Sequence, residues 1–228
     1  MKRKLFLTVA VASVLMIAGA SSALALSKPK LSFVKSGGAT IGWTTAQGSS
    51  PADLGNSSSL RYNVPVGGGV SAYTYGASET LVGIRGKHLS EITRLGFDSR
   101  GYLGAGAPRF SIGTTGPDGD HTFFLSAYYC NDALSGGWRT SDFSDSALSP
   151  GTSTGCTIFD QSGNTFPSIQ AAGVLYPDDV VISSPNDWFF IVDESPAVGN
   201  IDRLTVQDWM WNKGGNQGIV NCNDPGCI

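Results

Sequence analysis

The sequence predicts an all-β fold: a two-sheet antiparallel sandwich of jelly-roll type with one short helix. Three observations carry this. Apolar residues alternate with polar ones over many short runs, the period of a half-buried strand. The 228 residues hold 30 glycines and 11 prolines but only three glutamates, a composition poor in helix formers and rich in turns. About nine or ten such runs follow in regular rhythm with no internal repeat, which favours two packed sheets over a helical or repetitive architecture.

The chain opens with a targeting pattern. Lys2, Arg3 and Lys4 precede the apolar run Leu5 to Ala20, and Ala23-Leu24-Ala25 has the small-x-small form cut by signal peptidase. The run is short for a membrane span, and with no cysteine beside the cut a lipid anchor is not expected. A secreted protein, extracellular or periplasmic, with no membrane association after signal removal is the expectation. Residues 1–25 are read as signal, 26–38 as a lead-in, 39–212 as the sandwich and 213–228 as a tail closed by a disulfide. The formal charge is −3, and removing the three basic signal residues leaves 12 Lys and Arg against 18 acids, near −6. Nucleic acid and anionic membrane ask for a basic face, so neither is an expected partner.

The strands follow in order. Ala39 to Ala46 alternates, with Ile41 and Trp43 on one side. Leu60 to Val64 and Val70 to Tyr75 are two strands about Pro65 and three glycines, and their spacing predicts a hairpin. Leu81 to Arg94 admits a short helical turn before a strand from Ile92 to Ser99. Arg109 to Thr114 and Thr122 to Cys130 flank the turn sequence G-P-D-G-D; the second is so apolar that it reads as covered on both faces. Trp138 to Phe143 and Thr157 to Phe159 are further strands. Phe166 to Gly173 is the helix, with Pro167 tolerated in its first turn. Val180 to Ser183 and Asp187 to Asp193 follow. Asn200 to Asn212 reads as one closing strand, with Leu204, Val206 and Met210 on the core face and Arg203, Gln207, Trp209 and Trp211 on the other.

The order of landmarks, from S-L-R-Y through H-L-S-E-I-T-R-L-G-F-D, A-P-R-F-S-I and G-G-W-R-T to I-D-R-L-T-V, resembles the secreted bacterial jelly-roll domains related to carbohydrate-binding modules. The resemblance spans Ala39 to Trp211. It implies the sandwich and, by analogy, a polysaccharide or cell-surface glycan as partner.

The candidate ligand-binding residues are Trp209 and Trp211, whose indoles would stack on sugar C–H faces, with Arg203 and Gln207 beside them for hydroxyls. Tyr73 and Tyr75 form a second same-face aromatic pair; the sequence alone does not decide whether they share the tryptophans' sheet surface. Asp118 and Asp120, in P-D-G-D-H, offer two carboxylates on a tight turn, a candidate structural calcium site. The four cysteines, Cys130, Cys156, Cys222 and Cys227, are even in number in an exported chain and imply disulfides. Cys222–Cys227 closes a hexapeptide, leaving Cys130–Cys156; zinc is the alternative, but neither spacing fits a zinc knuckle.

An enzyme is less favoured. Gly151 to Gly155 matches G-x-S-x-G but lies in a loop-like run without the strand and helix a nucleophile elbow needs. The three glutamates are scattered, no paired-carboxylate strand is present, and His88 and His121 read as surface residues. The reading is a non-catalytic secreted domain that binds glycan or another extracellular surface through aromatics on one sheet face; a structural or adhesive matrix protein making protein–protein contacts and an unrecognised glycan-active enzyme are the alternatives.

Overall fold

The computed structural model describes residues 30–44, 58–75, 84–130, 137–144, 155–182, 190–207, 209–211 and 219–221. Among them are fifteen strands, one α-helix and two 3₁₀ turns. The strands are β1 (Lys30–Ser36), β2 (Thr40–Thr44), β3 (Ser59–Val64), β4 (Gly69–Tyr75), β5 (Leu95–Gly101), β6 (Arg109–Gly116), β7 (Gly119–Ser126) and β8 (Arg139–Asp142). Then come β9 (Ile158–Asp160), β10 (Thr165–Phe166), β11 (Val180–Val181), β12 (Phe190–Val192), β13 (Ala197–Val206), β14 (Trp209–Trp211) and β15 (Ile219–Asn221). Helix α1 spans Ile169–Leu175, and the 3₁₀ turns are Leu89–Glu91 and Ala127–Tyr129.

These strands form two antiparallel sheets, the all-β sandwich with one short helix expected from the alternation. An eight-stranded sheet runs β1-β4-β12-β6-β7-β9-β10, with β11 beside β6. A seven-stranded sheet runs β15-β14-β13-β3-β2, with β5 on β13 and β8 on β5. The sandwich is wider than the sequence boundaries: β1 falls within the lead-in and pairs with β4, while β15 falls within the tail and pairs with β14.

The expected β3–β4 hairpin does not form. β3 pairs with β2 and β13 in one sheet, β4 with β1 and β12 in the other. Pro65 to Gly68 is a corner between layers, closed by Gly68 N–H donating to the Pro65 carbonyl at 2.8 Å. Gly37, at φ +57°, turns the chain from β1 to β2 against it; a Cβ there would stand 2.5 Å from the Gly68 Cα. Gly68 serves the close approach of the two corners, and Gly67, at φ +77°, the turn itself, rather than a loose hairpin loop.

The core lies between the layers. Phe97 from the seven-stranded sheet meets Phe110 and Phe190 from the other at centroid distances of 5.1 and 5.4 Å, both edge-to-face, the arrangement the ring quadrupole favours. Phe143 closes the cluster 5.8 Å from Phe97. Tyr62 is fully buried, its hydroxyl donating to the Tyr102 carbonyl at 3.1 Å; burial first, then the neighbouring Tyr102, pushes its pKa far up. Helix α1 packs against the Leu89–Glu91 turn and β10. Ser168 caps it, its hydroxyl accepting from Ala171 N–H at 3.1 Å, and Gly173 packs so closely on the Leu89–Glu91 turn that a Cβ would come within 2.7 Å of the Ser90 nitrogen.

Candidate functional site

The C-terminal residues do not form the predicted platform. The stretch read as one strand is a hairpin, in which Leu204 faces Trp211, Thr205 faces Met210 and Val206 faces Trp209. Opposed residues in an antiparallel pair share a face. The turn therefore reverses the parity and carries both indoles onto the core face of Leu204 and Val206. Trp211 is buried in the core and Trp209 packs against it, half-buried.

Arg203 and Gln207 are structural as well. Both have positive φ, 44° and 50°. Arg203 sits where the β13–β5 register slips between Asp202 and Thr205, and its guanidinium grips the buried Asp98. Gln207 is buried; its side-chain oxygen accepts from Thr93 N–H and Oγ1 at 3.1 and 3.0 Å, and its amide donates to the Glu91 carbonyl at 2.9 Å. Tyr73 and Tyr75 stand on β4, in the opposite sheet from β14, so they share no sheet surface with the tryptophans.

Asp118 and Asp120 are exposed at the β6–β7 turn. The Asp120 carbonyl already accepts from Gln161 Nε2 at 3.0 Å. Among the described residues no group of three His, Cys, Asp or Glu side chains is gathered to hold a metal. The Cys130–Cys156 disulfide is present, while Cys222, Cys227 and Gly151 to Thr154 lie outside the described residues.

The aromatic face lies instead on the outside of the eight-stranded sheet. Along β7, Phe123 and Leu125 point into the core and are fully buried, so Phe124 between them points out, half-buried. This strand is covered on one face, not on both as its apolar run implied. Phe124 stands between Ser111 of β6 and Phe159 of β9 in register. Tyr129, from the turn that ends β7, lies 4.6 Å from the Phe159 ring, and exposed Tyr128 meets Tyr129 edge-on at 5.0 Å. Arg109, across the ladder from Ser126, lays its guanidinium 5.8 Å from the Phe124 ring.

These side chains enclose a groove of about 310 Å³, lined by Phe124, Tyr129 and Phe159 with Arg109, Ser126 and the Ala105–Gly106 bend. That lies at the lower end of small-molecule sites, roughly 300–1,000 Å³. Its polar rim is fixed. Arg109 pairs bidentately with half-exposed Asp193, Nη1–Oδ1 2.6 Å and Nη2–Oδ2 2.7 Å, and also donates to the Gly106 carbonyl and to Ser111 Oγ. Glu194 accepts from Gly106 N–H at 2.6 Å and from the Tyr102 hydroxyl at 3.1 Å. A carboxylate and a guanidinium side by side offer an acceptor and a donor beside flat rings.

A second polar cluster gathers where α1 meets the sheet. Both histidines of the chain reach Asp179: His121 Nδ1 lies 2.8 Å from its carboxylate and His88 Nδ1 3.1 Å from its backbone oxygen. Thr114 Oγ1 donates to the same carboxylate oxygen at 2.5 Å. A carbonyl oxygen only accepts, so His88 carries its proton on Nδ1. The Tyr176 ring lies 4.5 Å from that of His121, and its hydroxyl donates to Asp160 at 2.6 Å. Burial pushes the Asp160 pKa up, but hydrogen bonds from Tyr176, from the Asn164 side chain and from the Asn164 and Ser162 backbone outweigh it, and the carboxyl ends below its usual range. Asp179 is distant from both histidines in sequence and no short motif announces the pairing, which is why the histidines read as surface residues from the sequence.

Among the described residues, no helix is long and apolar enough to cross a membrane. No family model, curated protein or solved structure matches this chain.

Proposed function

We propose that this chain is an exported, non-catalytic binding domain that takes a glycan on the outer face of its eight-stranded sheet. The observation that carries the reading is the Phe124–Phe159–Tyr129 groove with the Arg109–Asp193 pair on its rim. Sugars present apolar C–H faces that stack on aromatic rings, and hydroxyls that both donate and accept; the groove supplies both kinds of partner. Export is supported by the basic-apolar-small pattern of residues 1–25 and is compatible with the Cys130–Cys156 disulfide.

The test is retention of the purified protein on a panel of insoluble polysaccharides, with Phe124→Ala and Phe159→Ala beside it. Retention that both variants lose while keeping the native circular dichroism supports the reading. Retention that neither variant alters, or none on any polysaccharide, refutes it. Structural calcium at Asp118 and Asp120 is a separate proposal, tested by whether EDTA lowers the melting temperature.

A further inference from the structure

We infer that the Cys130–Cys156 disulfide is the positioning element of the groove: it holds Tyr129 against Phe159, while the sandwich itself folds without it. This inference rests on the reading of the groove as the ligand site.

Phe159 stands on a weak strand. β9 has three residues, pairs with β7 at two positions and with β10 at two, and ladders this short are marginal by themselves. The Asp160 end of β9 is well tied. Gln161 N–H donates to the Thr122 carbonyl at 3.0 Å, and the Asp160 carboxylate accepts from Ser162, Asn164 and Tyr176. At the other end Thr157 N–H donates to the Tyr129 carbonyl at 3.1 Å, and beside that bond lies the disulfide. Cys130 directly follows Tyr129 and Cys156 directly precedes Thr157. One covalent bond, spanning 26 positions of sequence, thus joins the segments that carry two of the three aromatic walls.

The fold has other sources of stability. The Phe97, Phe110, Phe143 and Phe190 cluster joins the sheets through ring contacts of its own, and β6 and β7 pair along eight positions. A chain of this length buries enough surface to fold unstapled. Arg139 Nη1 also donates to the Cys130 carbonyl at 3.2 Å, which retains the end of the Ala127–Tyr129 turn when the bridge is gone. Losing the bridge then frees the Phe159 side of the groove relative to Tyr129.

The experiment compares wild type with Cys130→Ser/Cys156→Ser and with Cys130→Ala/Cys156→Val, which refills the buried space. Folding is followed by circular dichroism and melting, and affinity is measured for the polysaccharide that wild type retains. Both double variants are expected to unfold cooperatively at a lower temperature and to bind about ten-fold or more weaker, as when an aromatic anchor is lost. A folded double variant that binds like wild type overturns the inference, and so does failure of both to fold. If wild type binds no polysaccharide, the groove reading is what fails. The positioning claim is then decided by the nuclear Overhauser contact between the Tyr129 and Phe159 rings. Its loss in folded double variants supports the claim and its persistence refutes it.

Discussion

Arg203 reaches from β13 to the carboxylate of Asp98, with Nε 2.7 Å from Oδ2 and Nη2 3.0 Å from Oδ1. Asp98 is fully buried and also accepts from Thr140 Oγ1 at 2.9 Å. Arg203 holds this position at φ 44°, a left-handed conformation imposed by the slipped register and costing roughly 1 kcal/mol or more. Arg203→Ala leaves a buried carboxylate without its guanidinium and is expected to destabilise the fold by about 3–5 kcal/mol. Asp98→Asn combined with Arg203→Met, which removes both charges, is expected to cost less than Arg203→Ala alone. Urea titration of the three proteins checks the order.

The tryptophans of β14 separate by burial. Trp211 is 2% exposed and part of the core, whereas Trp209 is half-buried. Trp211→Ala is expected to cost about 3–5 kcal/mol, the range for deleting a large buried aromatic; Trp209→Ala costs measurably less. Neither changes polysaccharide retention of the folded protein, because both rings face away from the groove. Loss of retention in folded Trp209→Ala would return the platform to β14.

The Tyr176–Asp160 bond makes stability fall at both ends of the pH scale. Asp160 is held below its usual pKa despite its burial, so its contribution is complete above the ordinary carboxylate value of about 4 and is lost as pH falls below it. For Tyr176 the bond to Asp160, then burial, raises the phenol; its contribution is complete below the ordinary tyrosine value of about 10 and is lost as pH rises past it. Tyr176→Phe is expected to cost about 1.5–3 kcal/mol at neutral pH, as for a hydrogen bond to a charged group. It also flattens the alkaline limb and part of the acid limb. Melting temperature as a function of pH, measured on both proteins, checks this.

Gly116 makes room for Asp179: a Cβ there would stand 2.0 Å from Asp179 Oδ1. The carboxylate is held by Thr114 and His121, so it moves only by breaking those contacts. Gly116→Ala is expected to destabilise by about 1–3 kcal/mol through overpacking and to shift the imidazole resonances of His121. Unchanged resonances would show that Asp179 yields freely.

The sequence displayed strands well and pairings poorly. β6 and β7 were legible because P-D-G between two strand-forming runs is turn chemistry with a mechanism. The β13–β14 hairpin was not, because its turn begins at Gln207, whose positive φ is compensated by hydrogen bonds to Thr93 and Glu91, far away in the chain. That one unmarked turn made the closing strand look continuous and sent Trp209 and Trp211 to the wrong face. Phe124 and Phe159 were hidden for the opposite reason. Phe124 lies in an apolar run, which does not say which of its faces is left open, and Phe159 lies in a strand of three residues, too short to show an alternation. Bringing them beside Tyr129 and Arg109 needs the order of strands in a sheet, which alternation does not encode.

With only two imidazoles in 228 residues, and both anchored on Asp179, the molecule carries its own local reporter. Any spectroscopic or chemical probe of histidine interrogates a single corner, the junction of α1 with β6, β7 and β11, and nothing else. Titrating a sugar while watching those two signals therefore distinguishes a ligand felt only in the aromatic groove from one whose binding is passed through Phe159, Asp160 and Tyr176 to the histidine corner.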